Sequence, residues 1–268
     1  MDSSQHIQEA LPFCYIFDSS FDGLLSCIAQ IHLDKRLGSI SRICAQDDYQ
    51  PSLFEPAIKH ETNQELVTRI TEALKRKAGH KALQSCYKVF LSDEPRRFLL
   101  IFYFVSVALR VGKQVHSMLA DKRIGEFLDL EKSVEAARHK AIEFLRFHKT
   151  SEGVYFAQFE TSISFVPLVM NHFVGRLNVQ AFVIYDSKHK VAGVYDGKDA
   201  IIQRVENFNP PRFSSDDTDY THMWQEFYRQ ITIKERYKPK LRQQQMPKKY
   251  WQFLDEMQNG TAGSSIDR

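Results

Sequence analysis

Between Arg146 and Gly197 the chain reads RFHKTSEGVYFAQFETSISFVPLVMNHFVGRLNVQAFVIYDSKHKVAGVYDG, and this stretch constrains the fold more than any other. Val154, Phe156 and Phe159 form a short apolar run. A helix is predicted over Val166–Val174, with Pro167 at its start, where a missing backbone N–H costs nothing. Ala181–Tyr185 and Val191–Tyr195 are then two apolar runs separated by a polar turn at Asp186–Lys188, the pattern of a hairpin. Strand, helix and hairpin in that order bring His172, Arg176, Asp186, Lys188, His189 and Asp196 close together in sequence. None of their spacings is diagnostic of a known chemistry.

Elements of a helical layer flank this stretch. Phe13–Phe17 (FCYIF) is dense and apolar like a buried strand, and Asp18-Ser19-Ser20 supplies helix-capping types ahead of Leu24, Leu25, Ile28 and Ile31 at helical spacing. From Arg36 to Pro56 the pattern breaks into loop or short edge strand. Thr62-x-x-Glu65 has the form of a capping box before Leu66, Ile70 and Leu74, and that helix stops at Gly79. A short helix fits Ala82–Leu91. Phe98–Leu109 (FLLIFYFVSVAL) is apolar all round, and as a run of about 12 residues it falls short of the roughly 20 that span a bilayer. It is expected to be a core helix, and no membrane partner is expected. Ile124–Arg146 reads as a long amphipathic helix, Ala200–Val205 as a further strand, Asp219–Ile231 as a helix carrying Trp224, and Pro247 as the start of a last helix. The fold class expected is α+β, mostly helical with a small antiparallel sheet in the C-terminal half. The expected organisation is a loose leader at 1–10, an N-terminal α/β portion at 11–92, a C-terminal α+β domain at 93–257 and a disordered tail at 258–268.

A formal net charge of +3 over 268 residues neither requires nor excludes a nucleic-acid partner, so the distribution of charge decides. The basic residues concentrate in Lys234–Trp251, KERYKPKLRQQQMPKKYW, where seven Lys or Arg stand against one acid, Glu235. Phosphate backbones call for point charges along a track, and unstacked bases for flat aromatic partners. Arg236, Lys238, Arg242, Lys248 and Lys249 fit the first need, and Tyr250 and Trp251 the second. A solvated loop with the aromatic rings tucked into the core explains the same residues. Arg176 shares a helix face with His172 four residues earlier and could line the adjoining cleft. His172 with Asp186 or Asp196 could also form an acid–base pair, or the carboxylates could hold magnesium. A structural histidine and ordinary turn aspartates are the blander alternative.

The four cysteines (Cys14, Cys27, Cys44 and Cys86) have no C-x-x-C spacing, and they read as reduced, mostly buried thiols of a soluble cytoplasmic protein. Phosphate-loop, dinucleotide, zincin, nucleophile-elbow and deaminase signatures are all missing. No cofactor and no metal site is expected from the residues themselves.

Five stretches together carry a resemblance: YIFDSSFDGLL, ARHKAIEFLRF, NHFVGRL, FVIYDSKHKVAGVYDG and WQEFYRQITIKERYKPKLRQQQMPKKYW. They span about residues 12 to 255. The chain resembles a family of uncharacterised bacterial proteins labelled as DNA metabolism or DNA repair proteins, which carry a C-terminal domain of unknown function. Its usual positions correspond here to His172-Phe173, Arg176, Asp186, Lys188, Trp224, Arg236, Arg242, Pro247, Lys248, Tyr250 and Trp251. Leu177 stands where relatives tend to have an aromatic residue, and His189 where they tend to have Arg. The resemblance implies a companion of a radical-SAM protein with a role in DNA repair or modification. Some longer relatives continue into a uracil-DNA glycosylase domain, which this chain is expected to lack.

The first expectation is therefore a non-catalytic, DNA-associated accessory protein partnering a radical-SAM enzyme. An enzyme acting on DNA or a nucleotide through His172 with Asp186 or Asp196 is the second. A protein-interaction adaptor that does not bind nucleic acid is the third.

Overall fold

The computed structural model describes residues 13–35, 40–53, 55–209, 211–217, 220–223 and 243–258, and it divides into two compact units at Val134/Glu135. The division falls inside a helix, whereas the sequence places a boundary at residue 92/93. The fold is α+β.

In the first unit, β1 (Phe13–Phe17) is the middle strand of a parallel three-stranded sheet, between β2 (Ile40–Ala45) and β3 (Ala57–Lys59). A central parallel strand is covered on both faces, which is why FCYIF is continuously apolar. Helix α1 (Phe21–Leu33) is N-capped by Ser20, whose hydroxyl accepts from the Gly23 N–H at 2.9 Å. Asp18 braces that cap. Its carboxylate accepts from the Ser20 N–H and hydroxyl and from the Thr62 hydroxyl. These bonds outweigh the effect of burial and hold its pKa below the usual carboxylate range.

Helix α2 (Gln64–Ala78) is capped by Asn63 and not by Thr62, because Thr62 is turned toward Asp18. Its last turn carries Lys75, Arg76 and Lys77, favourable at the negative end of a helix, and it stops at Gly79 with φ +86°. Helices α3 (His80–Phe90) and α4 (Arg97–Val111) follow. Together with the 3₁₀ turn Gly112–Ser117, α4 makes a helical stretch of 21 residues, long and apolar enough to cross a membrane by length and composition. Run length therefore does not separate it from a membrane span; packing places it. Phe98, Leu100, Ile101, Phe102, Phe104, Val105 and Ala108 are buried in the unit's core, Phe98 edge-on to Phe17 and Phe104 stacked on Phe127 at 3.9 Å. All four cysteines are free and buried.

Helix α5 (Lys122–Phe144) runs across the division. The second unit is built on a five-stranded sheet in the order β4 (His148–Lys149), β5 (Tyr155–Phe159), β6 (Phe182–Asp186), β7 (Val191–Tyr195), β8 (Ala200–Arg204). The sheet is mixed where an antiparallel one is expected. The β5–β6 pair is parallel, because α6 (Val166–Arg176) is a crossover that returns the chain in the same direction. Helix α6 lies against β7 at Gly193. A Cβ there would collide with Met170 Sδ and come within 2.8 Å of Val166 Cγ1. On the opposite face, Phe208 stacks on Tyr185 and Phe156. A 3₁₀ turn at Lys248–Phe253 and the short helix α7 (Asp255–Gln258) close the described chain, in place of one helix starting at Pro247. The expected helix Asp219–Ile231 lies largely outside the described residues.

Candidate functional site

The basic-aromatic segment is described from Gln243 onward, and within the second unit its structured part is fixed to the α5–β4–β5 corner. Tyr250 is buried, stacked on Phe159 at 5.0 Å and tilted against Phe144 at 5.6 Å. Leu254 is fully buried. Glu256, also buried, pairs with Arg146 at 3.0 Å. Lys140 donates to the Gln245 carbonyl, and the Trp251 indole N–H donates to the Met246 carbonyl at 3.0 Å. On this seat Lys248 and Lys249 are exposed, Lys248 Nζ 5.9 Å from the Trp251 ring and Lys249 Nζ 4.9 Å from the Tyr250 ring. Tyr250 thus has its ring committed to the core. Trp251 is half-buried and is the aromatic beside the lysines.

His148 ties this corner together. Its Nδ1 lies 2.9 Å from Asp217 Oδ2 and its Nε2 3.3 Å from Asp255 Oδ1. Asp217 also accepts from the Lys149 N–H at 2.7 Å, and Ser214 N–H donates to the Lys149 carbonyl. The Asp255 carboxylate, then that of Asp217, raises the His148 pKa to about 8 against the opposing effect of burial. An imidazolium with both N–H groups engaged by carboxylates is a clamp, with no nitrogen left to act as a base. It joins β4, the 211–217 segment and α7.

The remaining candidates lie apart. His172 and Arg176 are both exposed on α6, with Arg176 in its last turn. Asp186, at the end of β6, is fully buried; it accepts from the Lys188 and His189 N–H groups at 3.2 Å and faces His189 Nδ1 at 2.8 Å. Asp196 is exposed and caps its own turn, accepting from the Lys198 and Asp199 N–H groups, bonds that hold its pKa low. The ladder sets Asp186 opposite Val191 and Phe182 opposite Tyr195, so the two carboxylates sit at opposite ends of the hairpin. At about 3.4 Å per residue, the five residues of offset put them roughly 17 Å apart, too far to share an ion. Among the described residues His172 makes no hydrogen bond or ion pair with either aspartate. The histidine that Asp186 orients is His189. No group of three or more His, Cys, Asp or Glu side chains among the described residues is placed to hold a metal ion. Arg236, Lys238 and Arg242 lie outside the described residues.

Sequence reasoning missed His148. Its partners are 69 and 107 residues away, and the signal available was only a histidine at the start of a strand with acids in two distant loops. His189 was noted as a departure from the family pattern, and its proximity to Asp186 was legible from the turn.

A family profile described as a domain of unknown function, DUF4130, matches residues 95–256 of the chain. No curated protein matches the chain.

Proposed function

Since the chain belongs to the DUF4130 family, a family without an assigned activity, we propose that it is a DNA-associated accessory protein in DNA repair or modification. In this reading it is non-catalytic and partners a radical-SAM enzyme, which carries the cluster. The observation that supports it is the exposed pair Lys248–Lys249, held beside Trp251 on a seat fixed by Tyr250, Leu254 and the Arg146–Glu256 pair. Point charges on a rigid support are suited to phosphates, and an aromatic ring beside them is the residue type that stacks on bases. Arg236, Lys238 and Arg242 extend the same basic run in sequence, and Arg176 adds a cation on α6. The radical-SAM partner rests on the family resemblance alone. Among the described residues His172 does not converge with Asp186 or Asp196, so the geometry favours the accessory reading over that particular pairing.

Fluorescence anisotropy with single- and double-stranded DNA, over a salt series, tests the proposal. Binding should weaken steeply with salt. The Lys248→Ala/Lys249→Ala variant should lower the slope of log K against log salt by about 2, one per phosphate contact removed. Changing Arg236, Lys238 and Arg242 to Ala should lower it further. Absence of binding at low salt refutes the DNA reading and leaves the adaptor.

A further inference from the structure

Helices α1 and α2 of the first unit pack together and leave an open cleft of about 380 Å³, a volume typical of small-ligand sites. On α2 the lining residues Leu66, Arg69, Ile70, Ala73 and Arg76 recur at steps of three and four, so they share one face of the helix. Leu66 and Ile70 are buried and form the base. Ala29 of α1 and Ala73 of α2 both line the cleft, and two alanines between packed helices leave room that longer side chains would fill. Leu109 of α4 adds a further apolar wall. Lys77 ties that end of α4 to the last turn of α2, its ammonium donating to the Leu109 carbonyl at 2.7 Å.

The polar lining has a definite sign. Arg69 and Arg76 are exposed, and no hydrogen bond or ion pair among the described residues engages either guanidinium. Glu72 stands three residues from one and four from the other, spacings at which helix ion pairs form, yet it pairs with neither. Two cations against one acid leave the cleft net positive. His32 adds an acceptor. Ser106 gives its hydroxyl proton to the Phe102 carbonyl at 2.7 Å, so toward His32 Nε2, 3.0 Å away, its oxygen accepts and Nε2 carries the proton. Burial lowers the His32 pKa, which keeps the ring neutral and Nδ1 unprotonated. No hydrogen bond among the described residues takes the Nδ1 lone pair.

We propose that this cleft binds a small carboxylic acid whose compact apolar body also carries a hydroxyl or N–H donor. The carboxylate is held by Arg69 and Arg76, which close on it from either side of Ala73 and present paired N–H donors to its oxygens. The apolar body lies on Leu66, Ile70 and the two alanines. The ligand's donor bonds to His32 Nδ1, and a site built around that bond discriminates against acids that lack the donor. The cleft lies wholly within the first unit, so this binding is separable from the DNA reading, which rests on the second.

Calorimetric titration of the full chain with para-hydroxyphenylacetate and with omega-hydroxyoctanoate tests the proposal, each beside its analogue without the hydroxyl and its neutral amide. The aromatic and aliphatic arms identify the body that fits. At least one hydroxy acid should bind at a single site per chain. Its amide, and the acid on the Arg69→Gln/Arg76→Gln variant, should bind at least about tenfold more weakly, as expected for losing a charge-assisted hydrogen bond. Both arginines are exposed, so the variant's thermal melt should match that of the natural chain. Ala73→Phe fills the cleft and should abolish binding. Failure of both hydroxy acids to bind at millimolar concentration overturns the proposal. So does an amide or a hydroxyl-free acid that binds as tightly as the hydroxy acid, or binding that survives in the double arginine variant.

Discussion

His148 makes the stability of this protein depend on pH in a way that can be worked out from its two carboxylate partners. In the folded state its pKa rises from 6.5 to about 8, and the side chain is 24% exposed, so solvent screens the interaction only in part. A raised folded-state pKa means that the folded protein binds the proton more tightly than the unfolded chain does. The contribution is fully present below about pH 6.5, declines between 6.5 and 8, and is lost above. Its size follows from the displacement, about 2 kcal/mol at 1.36 kcal/mol per pKa unit. The assay is urea unfolding by far-ultraviolet circular dichroism at pH 6 and pH 9, for the natural chain and for His148→Gln. Natural protein should lose about 2 kcal/mol more than the variant over that interval. His32, His60 and His116 have pKa values lowered by burial, so they titrate at lower pH and act in the opposite sense, destabilising as pH falls. They are common to both proteins and cancel in the difference. Direct NMR titration of the His148 ring should give a value near 8, falling more on Asp255→Asn than on Asp217→Asn. Parallel pH profiles for the natural chain and His148→Gln would refute the clamp.

Gly193→Ala should destabilise by about 1–3 kcal/mol, through the clash with Met170 and Val166, and Met170→Ala should relieve part of the loss in a double-mutant cycle. Asp186→Asn leaves a buried turn short of its full acceptor for two backbone N–H groups and weakens the His189 contact; a loss of about 1–3 kcal/mol with unaltered DNA affinity would mark the carboxylate as structural. Burial pushes the Cys14 and Cys27 thiols up to about 12 and raises Cys86 further, so a disulfide reagent at pH 8 should leave these three unlabelled in native protein and label all four cysteines in urea. Rapid labelling of the native chain would contradict the packing of the first unit.

The local elements were legible because short-range patterning specifies them. FCYIF announces a strand, Pro167 a helix start and the Asp186–Lys188 turn a hairpin; each signal sits within a few residues of its consequence. The α+β class followed from their sum. The parallel three-stranded sheet was not legible, since β2 and β3 are short and interrupted by charge, and only pairing with β1 makes them strands. Thr62 had the form of a capping residue, yet the carboxylate of Asp18, 44 residues earlier, takes its hydroxyl and leaves the cap to Asn63.

At the candidate site, composition alone identified the basic-aromatic segment. Only the tertiary structure decided that Tyr250 belongs to the core while Lys248 and Lys249 face solvent, because burial depends on what folds against a residue. It also decided that Asp186 and Asp196 stand at opposite ends of one hairpin, a consequence of antiparallel pairing that sequence proximity conceals. His148 is the extreme case. Its own neighbours carry no sign of its role, and its charge is set by Asp217 and Asp255, which the fold brings within 3.3 Å. Hydrogen bonds within a turn and periodicity along the chain are local quantities and can be read from sequence. Electrostatic partnership through space requires knowing which distant segments meet.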